Sequence, residues 1–460
     1  MRVGLVIAVT LIAGAGQAGA QNAPAPPTTP LTLAHPEPPT GPPLVITLSD
    51  ALQRAKQNEP QFLSAQADAA IAREDRVQAG ATRLPAFSES TQYIGNQAST
   101  PDGLKTGRFV SMDGVNMYRQ WLQAHQELSP NTLTGTSVRR ATAAEAAARA
   151  RLEIAQRGLV VIVTRNYYAL ISTQRKYASA QQAVQQAQRF FDFAQQQERL
   201  GQVARSDVVK AEITYRQQRQ ALDEATLAMD DAHLALAVLL FPVFNENFTV
   251  VDDMQSAPPL PPFADVRAMA EKDNPDLRAA DQLLAAASAD VRLSKSAFFG
   301  NIVVDAVYGI EANEFALYSV PAADPALGVL PNLGYAVTVN LTVPIWDWGA
   351  IRSKVRQSQV RQRQAQLTLS QTQRQLVSNL YSMYNEALTA RDAVNNLRRA
   401  ADLATESVRL IGLRYQAGES SALEVVDAVN TNVQTHNAAD DAEARYRVAI
   451  AQLQTLTGSF

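Results

Sequence analysis

Two stretches of the chain repeat each other, and this constrains its architecture more than any single motif. With Gly201 set against Gly418, GQVARSDVVKAEITYRQQRQALDEATLAMDDAHLALAVLLF runs without a gap along GESSALEVVDAVNTNVQTHNAADDAEARYRVAIAQLQTLTG. Twelve of 41 positions are identical, including Val208/Val425, Val209/Val426, Ala211/Ala428, Asp223/Asp440 and Leu236/Leu453. At nearly the same offset SDALQRAKQNEPQF from Ser49 resembles ADVRAMAEKDNPDL from Ala264, with Pro60 and Pro275 in step, and Pro130–Gly135 resembles Pro344–Gly349. The chain is a tandem duplication of a unit a little over 210 residues long. Whatever fold one unit has, the other shares.

Each unit reads in one order. A helix is expected over about Ser49 to Leu84, where Pro85 ends it, and again over Ala264 to Phe299. Some 45 residues without helical period follow. The clearest strand is Gly334 to Val343: Tyr335, Val337, Val339 and Leu341 alternate with Ala336, Thr338, Asn340 and Thr342. Asn301 to Ile310, Phe87 to Ile94 and Met117 to Leu128 are further strands. A Pro-x-x-x-x-Gly turn then leads into a very long helix, about Thr136 to Arg199 in the first unit and from Ile351 in the second. Its seam Leu376, Leu380, Met383, Ala387, Ala390, Val394, Leu397, Ala401, Ala404, Val408, Ile411, Tyr415 steps by four and three throughout, the mark of helices packed side by side. About 65 residues at roughly 1.5 Å each reach about 100 Å. A glycine turn and a partner helix ending near Leu240 or Thr457 close each unit.

The ends point to export. Arg2, an apolar run from Val3 to about Ala15 and Ala18-Gly19-Ala20 have the order of a secretory signal, expected over 1–20. Residues 21–44 read as a proline-rich tether. The first repeat then spans 45–241 with strands at about 86–128, a linker 242–262, and the second repeat 263–460 with strands at about 300–343. There are no cysteines, so stability must come from packing or assembly. A net charge of −3 with 18% charged residues offers no basic field for nucleic acid. After the signal, no apolar run is long enough for a membrane helix.

Four strands with one apolar face cannot close a barrel, and an open apolar sheet would aggregate. Copies must combine: two chains give eight strands and a filled lumen, three give twelve and a water-filled pore. In order and duplication, these pieces resemble the outer-membrane efflux protein family, TolC-like, across residues 45 to 458. The motifs that carry the likeness are Pro-Ile-Trp-Asp-Trp-Gly entering a long helix and Arg-Tyr-x-x-Gly before Leu-Glu-Val-Val-Asp-Ala. The resemblance implies a mainly α fold with a membrane β-barrel: a homotrimer with a twelve-stranded outer-membrane barrel set in lipid and an α-helical periplasmic tunnel. It implies no enzymatic activity, catalytic residue, cofactor or metal. The family role is a passive exit duct in the outer membrane of a Gram-negative bacterium, served by a periplasmic adaptor and an inner-membrane transporter that exports small molecules. Type I protein secretion uses the same kind of duct, and a periplasmic coiled-coil scaffold is the alternative from another class.

The residues around RYQAGESSALEVVDAV admit several readings. Glu424 completes a capping box with Ser421, and Asp427 lies three residues on, on the same helix face. Repeated around a trimer axis, the two acids would instead form a ring that attracts cations. The resemblance makes the turns at Gly201 and Gly418 the periplasmic entrance and the adaptor's docking place. It makes Tyr415 a gate tyrosine bonding across to Asp207, with Ser206 beside it, and Glu424 and Asp427 the constriction. Tyr415 also simply closes the seam, and Ser206 could cap the helix that Asp207 enters. The family can place a basic residue at Ser420, so one interlock is missing or made differently. Trp346 and Trp348 share a face if extended and could sit at the membrane's inner boundary or pack where strand becomes helix. Phe299-Gly300 replaces Leu84-Pro85, which makes the chain's entrance into that strand less rigid.

Overall fold

The computed structural model describes residues 43–95, 116–242, 247–256, 258–312, 315–318 and 331–458. The signal segment and most of the tether lie outside the described residues. In chain order the elements are β1 (Leu44–Ile46), α1 (Leu48–Asn58), α2 (Pro60–Ala81), β2 (Ala86–Gly95), β3 (Asn116–Leu128), α3 (Pro130–Thr134), α4 (Thr136–Arg199), α5 (Arg205–Leu240), β4 (Phe248–Val250), α6 (Phe263–Asp273), α7 (Pro275–Ser296), β5 (Asn301–Ala312), β6 (Leu333–Thr342), α8 (Ala350–Gln416) and α9 (Ala422–Thr457).

The duplication and the heptad seam are both realised. Every seam residue from Leu376 to Tyr415 is buried or half-buried, with Leu376, Leu380, Ala387, Ala390, Val394, Ala401 and Ala404 fully so. The long helices α4 and α8 run 64 and 67 residues. Shorter helices flank them end to end. On the strand side the order across the wall is α2, α4, α7, α8; on the far side it is α5, α4, α9, α8. Where short helices meet, side chains stitch the ends: Asn58 donates to the Leu240 carbonyl at 2.6 Å, and Arg157 reaches the carbonyls of Thr455 at 2.8 Å and Asp273 at 3.2 Å. The result is a single layer of four helices with two open edges, α2 and α5 on one side and α8 on the other.

Those edges carry the exposed apolar residues. Leu63, Ile71 and Val77 on α2, Val209, Ile213, Leu227, Leu234 and Val238 on α5, and Val360, Leu367, Leu403 and Leu410 on α8 are all exposed, whereas the middle helices expose only Ile162 and Leu423 among their large aliphatics.

Two expectations are corrected here. The first helix of each repeat is broken in two, because Glu59 and Asn274, each before a proline, take extended backbone (ψ 118° and 121°) and cap the helix that the proline begins. The matched prolines that identify the repeat also break its helix. The segment 242–262 is more than a linker. Its strand β4 pairs in parallel with β1, Leu44 opposite Phe248, and the pair covers a core of Tyr167, Leu170, Leu236 and Leu240. Leu44, assigned to the tether, therefore belongs to the fold.

The remaining strands make one antiparallel sheet in the order β2-β3-β5-β6, with β2 and β6 as free edges among the described residues. The register sets Tyr335 opposite Tyr308, Val337 opposite Ala306, Val339 opposite Val304 and Leu341 opposite Ile302, all on one face with Leu122 and Phe87. The other face carries Thr338 opposite Asp305, Asp305 opposite His125, and Arg119 bonded to Glu311. The first face is mostly apolar, with Glu89 and Gln120 bonded to each other on it, and the second is mixed, Val303, Val307 and Trp121 standing among its polar groups. This bias is the one expected of a sheet with lipid on one side and water on the other. Gly300 does not loosen the strand as expected. Its φ is +76°, and a Cβ there would stand 2.5 Å from the Thr342 carbonyl oxygen, so β5 starts at a tightly fitted position.

Candidate functional site: the helix tips and the strand-to-helix turn

The two tip turns are built alike. In both, a glycine at positive φ, Gly201 (73°) and Gly418 (79°), reverses the chain. The next residue closes the same five-back bond, Gln202 to the Gln197 carbonyl and Glu419 to the Arg414 carbonyl, each 2.9 Å. Beyond the turn they diverge. Ser421 caps α9: its hydroxyl accepts from the Glu424 amide at 3.4 Å, while Glu424 accepts from the Ser421 amide at 3.4 Å and from the Ser420 hydroxyl at 2.8 Å. The hydroxyls and the amide hold the Glu424 carboxyl below the usual glutamate range, Ser420 contributing most. Ser420 thus serves the capping box of its own repeat. In α5 the cap position is Ala204, which has no side-chain acceptor, and Ser206 lies inside the first turn. Ser206 therefore does not cap the helix. The helix starts two residues earlier than a Ser206 cap would place it.

Tyr415 reaches across the repeat boundary. Its ring meets Phe190 at 5.2 Å and Phe193 at 6.0 Å, both on α4. It separates two cavities of about 420 and 430 Å³. The first is apolar, with Phe190, Val408, Val425 and Val429. The second is polar and holds Asp207, Gln202 and Ser420. Tyr415 and Asp207 share that second cavity, but the Tyr415 hydroxyl is buried with no hydrogen-bond partner among the described residues. Burial, then the nearby Asp207 charge, raises the phenol pKa. Asp427 is exposed one turn from Glu424, on the same stripe of α9. Gln218 ties α5 to α9 through Asn430 at 3.0 Å.

The sequence reading missed the two phenylalanines and the glutamine tie. Phe190, Phe191 and Phe193 are three aromatics in four positions of a glutamine- and alanine-rich helix, a signal that was present.

At the opposite end the Pro344–Gly349 turn leads β6 into α8. Asp347 accepts from the amides of Gly349 at 2.9 Å and Ile351 at 2.6 Å, so the helix N-terminus lowers its carboxyl pKa. Trp346 and Trp348 meet edge to face at 5.6 Å. Trp348 is at φ 54°, so the two indoles are not on one extended face, and both are largely exposed rather than packed at the junction.

The family model described as outer membrane efflux protein matches residues 51–240 and again 266–459. The chain belongs to this family. Its place is accordingly the outer membrane. None of its described helices is long and apolar enough to cross a membrane. The outer membrane protein OprJ of Pseudomonas aeruginosa is 23% identical over 337 residues, which cover 70% of this chain and 65% of OprJ. The match thus spans about two thirds of that relative's length. Among solved structures, the CmeC outer membrane channel of Campylobacter jejuni aligns with a TM-score of 0.73 at 16% identity, over 89% of this chain and 85% of CmeC. The outer membrane protein VceC of Vibrio cholerae aligns at 0.72 and 17%, over 90% and 96%. The likeness shows a shared fold over about nine tenths of this chain.

Proposed function

We propose that the chain is one third of a passive exit duct for small molecules in the outer membrane. The observation that carries this is the pairing of two kinds of unsatisfied edge. The sheet has free edges at β2 and β6 and an apolar face, and the helical wall has apolar rows on α2 and α5 and on α8. Copies of the same chain satisfy both edges at once, β6 beside the next β2 and α8 beside the next α2 and α5. Three copies give twelve strands, the smaller closed number that leaves a watery lumen. Twelve helices at about 9 Å spacing make a ring roughly 35 Å between axes, wide enough for small solutes.

In this reading the turns at Gly201 and Gly418 form the far mouth, where a periplasmic adaptor docks and hands on cargo from an inner-membrane transporter. Tyr415, Ser206 and Asp207 gate it, and Glu424 and Asp427 form a cation-attracting ring. No step of chemistry is assigned to any residue. Extraction of the full chain from outer membranes is expected to require detergent, to give a heat-labile trimer band, and to conduct ions in planar bilayers with cation preference. A detergent-free monomer without conductance overturns the reading.

A further inference from the structure

The start of α8 has an uncompensated charge pattern. From Ala350 to Asn385 the sequence holds no Asp or Glu, while Arg352, Lys354, Arg356, Arg361 and Arg363 crowd its first four turns. A helix N-terminus carries partial positive charge, so cations there are unfavourable for the helix itself. Asp347, just ahead of the helix, accepts from backbone amides and feels the charge of Arg352 without pairing to it. All five cations are exposed, and none forms an ion pair among the described residues. In α4, by contrast, Arg140 pairs with Asp290 and Arg149 with Glu145, each at 2.5 Å.

Packing fixes which way these cations point. Ser358 and Gln362 bond to Ser294 and Ser288 of α7, while Val360 and Leu367 are exposed on the opposite, open edge. Arg352, Arg356 and Arg363 then lie on one broad side of the wall, and Lys354 and Arg361 on the other. Whichever side is the outside of the duct, it is cationic. Directly ahead of these residues the turn presents Ile345, Trp346 and Trp348 at 94%, 75% and 90% exposure.

We propose that this collar binds the phosphate headgroups of anionic phospholipids in the periplasmic leaflet of the outer membrane. The inference rests on the outer-membrane reading above. Tryptophans sit at headgroup level, and a basic cluster just outside the apolar belt prefers lipids with net negative charge. Arginine forks suit phosphate oxygens, and four of the five cations are arginines. The net charge of −3 conceals this local field.

The test uses the full chain with Trp121→Phe, which leaves Trp346 and Trp348 as the only indoles of the three. It is reconstituted in phosphatidylcholine vesicles containing phosphatidylglycerol or phosphatidylcholine brominated in the upper acyl chain. Indole quenching should report about fivefold tighter association of phosphatidylglycerol, the effect of one cation held against an anionic headgroup. High salt should erase the preference. So should glutamine at all five cations, while lysine at the four arginines should keep it. Equal quenching by both lipids in the parent, or an unchanged ratio in the glutamine variant, overturns the proposal and leaves the membrane reading intact. No quenching by either lipid overturns the membrane reading as well. Altered ion selectivity with an unchanged lipid ratio assigns the cations to the lumen and also overturns the proposal. A retained heat-labile trimer band certifies that the variant folds.

Discussion

The Tyr415 hydroxyl and the Asp207 carboxylate line one cavity at the helix tips with no hydrogen bond joining them. The ring and the hydroxyl of Tyr415 therefore do separate work. Tyr415→Phe removes a buried group that bonds to nothing, so stability should change by less than about 1 kcal/mol. Tyr415→Ala takes the ring from Phe190 and Phe193 and should cost about 3 kcal/mol. Chemical unfolding in detergent compares the two, and equal losses would show the hydroxyl to be bonded in the assembled protein. For the gate, Tyr415→Phe with Asp207→Ala should raise single-channel conductance; unchanged conductance and unchanged cation block reject that role.

Arg175 holds three elements at the middle of the wall. It forks onto Asp252 at 2.7 and 2.8 Å, and its Nη1 reaches Asp440 at 2.9 Å and Glu443 at 3.0 Å. Glu443 is 6% exposed and shared with Arg398 at 2.5 Å. Burial already pushes the Asp440 carboxyl up against the pull of Arg175, so charge compensation there has no surplus. Arg175→Met should cost about 2–4 kcal/mol, because it strands buried carboxylates. Arg409→Met, which breaks an exposed pair with Glu406, should cost under about 1 kcal/mol. The same loss in both variants would contradict the difference in burial.

Much of this arrangement was legible because it repeats. The seam from Leu376 to Tyr415 could be read since each step places an apolar residue on one face, and all of it packs. The alternation at Tyr335, Val337, Val339 and Leu341 likewise gave the face of the sheet. Pairing between β1 and β4 was not legible. Three-residue strands carry no period, and their partners lie some 200 residues apart. The helix breaks at Pro60 and Pro275 do have a local sign, since each proline keeps its predecessor extended, but the apolar pattern runs on through both and hides it. At the tip, the Ser421–Glu424 box follows from local sequence, whereas the contact of Tyr415 with Phe190 depends on how two repeats pack and has no local sign. Ser206 misled because a Ser-Asp pair also fits inside a first turn.

Gly300 gives a sharp test of the sheet. At φ +76° an alanine is strained, and its Cβ would meet the Thr342 carbonyl oxygen at 2.5 Å, a backbone atom that cannot move without shifting β6. Gly300→Ala should cost roughly 2–3 kcal/mol and sharply lower the yield of heat-labile trimer. Gly334→Ala, with nothing within 4 Å of its Cβ, should assemble as the parent does. Equal yields from both would show that β5 does not need this fit.

The capping box at Glu424 makes one tip sensitive to acid. Its carboxyl is held below the usual glutamate range by Ser420 and Ser421, and a carboxyl depressed in the folded state contributes stability above its unfolded pKa. That contribution is lost as pH falls through the folded value, so the first turn of α9 should loosen below the ordinary glutamate range. The matching turn of α5 has Asp207 at the aligned position, but its cap residue is Ala204, so no capping box is built on that carboxylate. Amide exchange of residues 422–425, corrected for intrinsic rate, should therefore accelerate on acidification more than that of residues 205–208. In Glu424→Gln the two turns should respond alike. If the parent's two turns already respond alike, Glu424 is not what fastens this tip, and its carboxylate would be free to act on ions alone.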